Sequence, residues 1–331
     1  MDKKMKRMLF IDHAFHAHTK SAEFIKDLFI KEYTIDLIYL DPENMYDPKA
    51  FEFVAKMYYD TVVIWQLMPS LNWLKNYVSW NKISFFPMYD GIPSLTDPIW
   101  KEYRNTKIIS FSRTLQKALR NRGFDANYIQ YFPKPKKVKD WGKTDSVFYW
   151  QRVHTLPVQK VVDAIQNSIS KIHIHTSLDP HHSMIDIITD KRITHSTWFE
   201  NKEEMYSKIL ESAIYIAPRL SEGIGMSFLE AMSMGRCVIA PNQPTMNEYI
   251  QSGKTGFLYD LKDISKLKIG NINKIQKNTL KYVQRGYKSW NKKKKKILKW
   301  IKSPVHPHTT DSISQFFLFG KIPLFYWRKI K

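Results

Sequence analysis

The sequence predicts an α/β protein built from two consecutive Rossmann-like domains facing a central cleft. Three observations carry this expectation. Strand-like runs rich in β-branched and aromatic residues alternate with helix-like segments along most of the chain. A segment marked by prolines and lysines, Pro133 to Lys139, interrupts the alternation, which then restarts. The chain has 331 residues, more than one core usually organises, and 43% of them are hydrophobic, enough for two domains to bury a core each.

In chain order, Met8–Ile11 reads as a short buried strand and Ser21–Lys31 as a helix with Phe24, Ile25 and Leu28 on one face. Strands follow at Thr34–Leu40, Thr61–Leu67, Ile83–Met88 and Lys107–Phe111, then a helix from Thr114 to Arg122 closed by Gly123. Tyr128–Phe132 is the last expected strand before the hinge. Beyond it come strand Ser146–Trp150, helix Val158–Ser168, and strands Lys171–His175 and Tyr215–Ala217. Helix Ser227–Met234 and strand Cys237–Ala240 close the series. Domain boundaries are expected at 1–138, 139–286 and 287–331, the last a basic helix and aromatic tail. No short repeat period of the kind that builds solenoids is present.

Composition narrows the function classes. One cysteine, Cys237, excludes an intramolecular disulfide and a multi-cysteine zinc site. The charged opening, Met1 to Arg7, leads to the expectation that there is no signal-peptide core. Phe316–Trp327 is broken by Lys321 and Pro323, and a spanning helix needs about 20 apolar residues, so a soluble or peripheral protein is expected. The formal charge of +21 calls for an anionic partner, and from Lys281 onward fourteen Lys and Arg face a single acid, Asp311.

The chemistry concentrates between Tyr215 and Ala240. A strand runs into a loop holding Glu222, Gly223 and Gly225, and a helix opens near Met226 with Glu230 one turn inside it. Glycines let a ligand approach the backbone, and a helix start presents unpaired N–H groups with partial positive charge. Together they suit a diphosphate, at the strand end where open α/β sheets bind ligands. A carboxylate one turn down can accept two hydrogen bonds from vicinal ribose hydroxyls.

Glu222 and Glu230, in the frame E-G-x-G-x-x-x-x-E-A-M-x-x-G, resemble the donor signature of the large retaining family of GT-B glycosyltransferases, the glycosyl transferases group 1. Val238-Ile-Ala-Pro, Asn247-Glu248-Tyr-Ile and Gly253-Lys-Thr-Gly-Phe-Leu258 continue the likeness. The resemblance implies that Glu230 holds the ribose and Glu222 contacts the transferred sugar. It also implies that Gly223, Ile224, Gly225 and Met226 face the donor sugar and diphosphate, and that Arg152, after Tyr149-Trp-Gln, neutralises the diphosphate. The family's following lysine is replaced by His154-Thr-Leu-Pro157, with Lys160 as the late substitute. At the end of the strand Ile83–Met88 the family's His-Asp pair reads Tyr89-Asp90, so only Asp90 carries over, as a catalytic-side residue. Ser110 to Arg113 and the following helix are similar to the family's domain-one ending, and Lys281–Trp290 to its closing helix.

Three histidines, His13, His16 and His18, fill the loop after the first strand, where the family commonly has glycines. Acceptor contact is expected of them; a metal site or a general base are the other readings. No Asp-x-Asp pair is present, so no metal and no cofactor are expected beyond the nucleotide-sugar substrate. His173, His175, His181 and His182 read as surface or satisfied strand histidines. Lys292 to Lys296, then Ile297-Leu-Lys-Trp-Ile301 and the tail Phe316 to Lys331, put basic residues beside aromatics as an interfacial membrane anchor requires; a solvated lysine face with core aromatics is the other reading.

The resulting expectation is a hexosyl or related glycosyltransferase of polysaccharide or lipopolysaccharide biosynthesis. It would move a sugar from a nucleoside-diphosphate sugar to a cell-surface glycan or lipid-linked acceptor, with retention. Its place would be the cytoplasm, peripheral on an anionic membrane face, with no nucleic-acid partner. The alternatives are a non-catalytic GT-B assembly or binding protein and a nucleotide-sugar epimerase.

Overall fold

The sequence alternation becomes two six-stranded parallel sheets in a computed structural model that describes residues 5–179, 191–197 and 199–306. The chain divides into two units, one running to Ile129 and resuming at Lys293, the other Gln130–Lys292. The sequence suggested breaks at 138 and 286.

Unit one contains β1 (Lys6–His13), α1 (Phe15–Thr19), α2 (Glu23–Phe29), β2 (Tyr33–Leu40), β3 (Tyr58–Trp65), α3 (Leu71–Leu74) and β4 (Ser79–Phe86). It continues with β5 (Lys107–Ser110), α4 (Arg113–Arg120) and β6 (Ala126–Tyr128). The sheet order is β2-β1-β3-β4-β5-β6, with every pair parallel. The order reverses at β1, so the β1/β3 boundary is this sheet's topological switch point. One hydrophobic core includes Leu9, Ile11, Val62, Ile64, Phe85 and Trp100.

Unit two contains β7 (Lys143–Gln151), α5 (Val158–Ile165), β8 (Lys171–Thr176), β9 (Ile193–Ser196), α6 (Lys202–Leu210) and β10 (Ser212–Ile216). Then come α7 (Met226–Ser233), β11 (Cys237–Pro241), α8 (Met246–Tyr249), β12 (Phe257–Tyr259) and α9 (Ile272–Lys293). Its parallel sheet runs β12-β11-β10-β7-β8-β9, and the switch point lies between β7 and β10. Parallel strands are covered on both faces, so they read as apolar runs, and Cys237–Pro241 is buried at every position.

The last expected strand of unit one moves. Tyr128–Phe132 was expected, but pairing to β5 uses Ala126–Tyr128. The apolar residues that follow serve unit two instead. Tyr131 N donates to Tyr249 Oη at 3.2 Å, and the Phe132 ring stacks edge-on to Tyr249 and Tyr282. Gly286 on α9 exists for this contact, since a Cβ there would lie 2.5 Å from the Phe132 ring. The expected hinge is also bound to unit two: Lys136 N donates to Ser233 O at 3.0 Å.

His173 and His175 are buried on β8 and not surface groups. Their rings share Ser196 Oγ at 2.9 and 3.0 Å, and His173 also meets Thr194 Oγ1. Burial pushes both pKa values down to about 4, so they are neutral at physiological pH. His181 and His182 lie outside the described residues.

After α9 the chain returns to unit one as α10 (Lys295–Lys302). Here the structure corrects the anchor expectation for Ile297–Ile301. Ile297, Leu298 and Ile301 are buried, and Trp300 Nε1 donates to Ile108 O at 3.2 Å. The buried Lys107 ammonium stands 3.7 Å from the Trp300 ring centroid, 2.7 Å from Asp125 Oδ2 and 2.9 Å from Pro304 O. His306 N adds a bond to Asp125 Oδ2 at 2.9 Å. A buried charge pair is tolerated only when its remaining hydrogen bonds are filled. The apolar side of α10 is therefore core, while Lys295, Lys296, Lys299 and Lys302 stay exposed. The tail from Phe316 lies outside the described residues.

Replacing Ile301, fully buried on α10, by Ala should cost about 2–5 kcal/mol of stability, measured by urea unfolding. An unchanged midpoint would mean that α10 is not part of the core.

Candidate functional site

The carboxyl ends of β7 and β10 flank the switch point of unit two, and the charged and glycine-rich residues collect there. Arg152 follows directly on β7. Its Nε and Nη2 donate to Asp179 Oδ1 at 2.9 and 2.6 Å. Arg219, in the loop after β10, donates through Nη2 to the other oxygen, Asp179 Oδ2. Asp179 is 7% exposed and lies beyond the end of β8, the strand beside β7. Counted over these three side chains, the cluster carries one net positive charge. The Arg152 guanidinium also lies 4.8 Å from the Trp150 ring centroid.

The loop from Leu220 to Gly225 is fixed by the next crossover. Glu222 N donates to Pro244 O at 3.1 Å, and Thr245 Oγ1 donates to Glu222 O at 3.1 Å. Glu222 is thereby held at 6% exposure within the wall of the strand-end site. Gly225 caps α7 with φ +80°, and a Cβ on it would stand 1.9 Å from the Phe228 ring. Only glycine fits both demands. The helix thus starts abruptly at Met226, its first N–H groups lacking intrahelical acceptors.

Glu230 lies one turn into α7 and is partly exposed. The Tyr206 phenol on α6 hydrogen-bonds to it, and burial together with that negative charge raises the Tyr206 pKa. Tyr131 is likewise raised, by burial first and then by Glu230. Glu230 thus stands beside the Tyr131 and Tyr206 side chains.

The structure brings Arg152, Glu222, Gly223, Ile224, Gly225, Met226 and Glu230 to one end of one sheet. It does not bring Lys160 into the arginine cluster. That residue is exposed on α5, with no ion pair among the described residues. Asp179 and Tyr206 were not found by sequence reasoning. Asp179 has a topological signal only, being just past a strand adjacent to the switch point, and Tyr206 sits in a helix that carries no motif.

In unit one, Asp12 is the penultimate residue of β1, at that sheet's own switch point, and is fully buried. Its Oδ1 lies 2.6 Å from His16 Nδ1 and accepts from His13 N at 2.8 Å. The His13 and His16 rings are 5.6 Å apart, and burial, then the neighbouring His16, lowers the His13 pKa. His18 is exposed. Asp90 occupies an exposed turn beyond β4. Among the described residues no three His, Cys, Asp or Glu side chains are grouped as metal ligands would be.

Residues 187–297 match the family model described as glycosyl transferases group 1. A curated relative, an uncharacterized 41.2 kDa protein in the cps region of Klebsiella pneumoniae, is 27% identical over 141 residues, 43% of this chain and 35% of that protein. The chain therefore spans about a third of the relative's length. Two solved structures share the fold. Sucrose-phosphate synthase from Thermosynechococcus elongatus aligns with TM-score 0.62 over 95% of this chain and all of the other, at 11% identity. Anabaena HepE, in complex with UDP and glucose, aligns with TM-score 0.60 over 89% and 99%, also at 11% identity. The fold is that of the GT-B glycosyltransferases.

Gly225→Ala should lower stability by about 2–4 kcal/mol, from the strain of positive φ and the clash with Phe228. Thermal unfolding measures it. A wild-type unfolding temperature would show that the loop accepts another geometry.

Proposed function

We propose that this chain, a member of the group 1 glycosyl transferases, moves a sugar from a nucleoside-diphosphate sugar to a cell-surface glycan or lipid-linked acceptor, with retention. The observation that carries the proposal is the strand-end arrangement of unit two. Two guanidiniums share one buried carboxylate there, and a glycine-capped helix start and two glutamates accompany them. The binding of UDP and glucose by Anabaena HepE supports a nucleotide-sugar donor. The location of the Klebsiella relative in a cps region supports a polysaccharide acceptor.

In this reading the diphosphate lies over the start of α7. Its charge is met by the N–H groups after Gly225, by Arg152 and by Arg219. Arg219 supplies the second cation for which the sequence offered only Lys160. Glu230 accepts both ribose hydroxyls, and Glu222 orients the transferred sugar. The anomeric C–O bond to the diphosphate breaks as the acceptor oxygen attacks that carbon. The departing diphosphate oxygen takes the acceptor's proton, so the protein's task is to stabilise charge on the leaving group. His13 and His16, at the strand end of unit one, serve the acceptor. Lys292 to Lys296 hold the enzyme peripherally on the inner face of an anionic membrane.

Glu230→Ala should weaken nucleoside-diphosphate binding by roughly 10- to 150-fold, the loss of about 1.5–3 kcal/mol from charged hydrogen bonds. Equal affinity of wild type and variant in calorimetry would reject the ribose assignment.

Transfer should also survive a chelator, because the cations opposite the diphosphate are guanidiniums. Loss of product on chelation, restored by a divalent ion, would contradict this.

A further inference from the structure

Unit two has a second polar feature, at the other end of its sheet. The turn Gln251–Thr255 leads into the amino end of β12, and Thr279 Oγ1 on α9 donates to Thr255 O at 3.0 Å. Between this turn and α9 lies a cavity of about 500 Å³ whose lining includes Lys254, Lys281, Arg285, Lys288, Gln251 and Gln284. No acid lines it. Among the described residues none of its four cations forms an ion pair, and all four are exposed.

The cavity is part of a longer feature. Helix α9 has 22 residues and no Asp or Glu. At 3.6 residues per turn, Lys274, Lys277, Lys281, Arg285, Lys288 and Lys292 fall within an arc of about 80°, along about 27 Å of helix. The opposite face packs inward through Ile275, Gln276, Thr279, Val283 and Trp290. The cations therefore contribute nothing to the core, and like charges one turn apart repel. A row of cations with no packing task, beside a polar cavity, fits an anion. Since β12 is parallel to its neighbours, the cavity is at the amino ends of the strands, whereas Arg152, Arg219 and Glu222 are at the carboxyl ends.

We propose that this cavity and the α9 stripe form a second anion site that takes a phosphate group. Lys281, Arg285 and Lys288 are its charged contacts, and Gln251 and Gln284 its neutral donors. The amides and ammoniums match the several oxygens of a phosphate, and the row of cations accommodates more than one. The phosphate belongs either to an anionic lipid headgroup or to a soluble phosphate compound. The site does not depend on sugar transfer.

The test is the triple variant Lys281→Gln, Arg285→Gln, Lys288→Gln. Glutamine keeps helix propensity, and the unfolding temperature verifies the fold. Inorganic pyrophosphate is titrated into wild type, the triple variant and Arg152→Ala, the last separating the donor site. Phosphatidylcholine vesicles with and without phosphatidylglycerol are co-sedimented with the same proteins and with the Lys292–Lys296→Gln variant. With about fivefold per cation, roughly 100-fold weaker binding is expected for the triple variant. If the source is soluble, the loss appears with pyrophosphate and the site persists in Arg152→Ala. If it is a headgroup, the triple variant sediments less with phosphatidylglycerol vesicles than wild type does, beyond any loss seen in the Lys292–Lys296→Gln variant, while pyrophosphate binding is unchanged. The proposal is overturned if the triple variant binds both probes as wild type does, or if wild type binds neither outside the Arg152 site. Nucleotide-sugar affinity should be the same in wild type and triple variant, so either reading can fail without the other.

Discussion

Parallel strand pairing is the constraint on which the other features rest. Parallel strands cannot be joined by tight turns, so each connection crosses the sheet through a helix or long loop, and all carboxyl ends gather on one edge. Where the strand order reverses, two adjacent crossovers leave in opposite directions and open a crevice. In unit one that position holds Asp12 with His13 and His16; in unit two it holds Arg152 and the loop from Arg219 to Gly225. The fold makes the crevice, and a few side chains give it charge.

Charge is treated differently in each place. Asp179 is buried and carries two arginines, which keeps both guanidiniums ordered at the strand ends without neutralising them fully. Lys107 and Asp125 are buried as well, but Trp300, Pro304 and His306 close over them. That pair is structural. The excess of the +21 chain is sorted again in the last helices, where α10 turns its apolar residues into unit one and α9 turns its own into unit two. Both leave lysines outward. A basic, aromatic-rich sequence can thus be core on one side and an electrostatic surface on the other.

That sorting explains what the sequence did and did not disclose. Strand identity was legible because buried parallel strands are apolar along their length, as in β1, β3 and β11. The loop from Glu222 to Gly225 was legible because Gly225 and the two glutamates fall at fixed distances from a helix start. Tyr128–Phe132 misled because its apolar residues pack as loop against α9, and pattern does not distinguish a buried loop from a strand. Ile297–Ile301 misled in a similar way, since lysines interleaved with apolar residues describe an interfacial helix and a helix laid on a domain equally well. Asp179 could not be found from spacing, because its partners Arg152 and Arg219 are remote in sequence and meet only through the strand order.

The proposed nucleotide-sugar site is the carboxyl end of the unit-two sheet. Hydrogen–deuterium exchange with and without a saturating nucleoside-diphosphate sugar tests it most directly. Protection is expected in the backbone from Arg219 to Glu230 and at Arg152, with the Gln251–Thr255 turn unchanged. Protection confined to the turn and α9, or no protection anywhere in unit two, would contradict it.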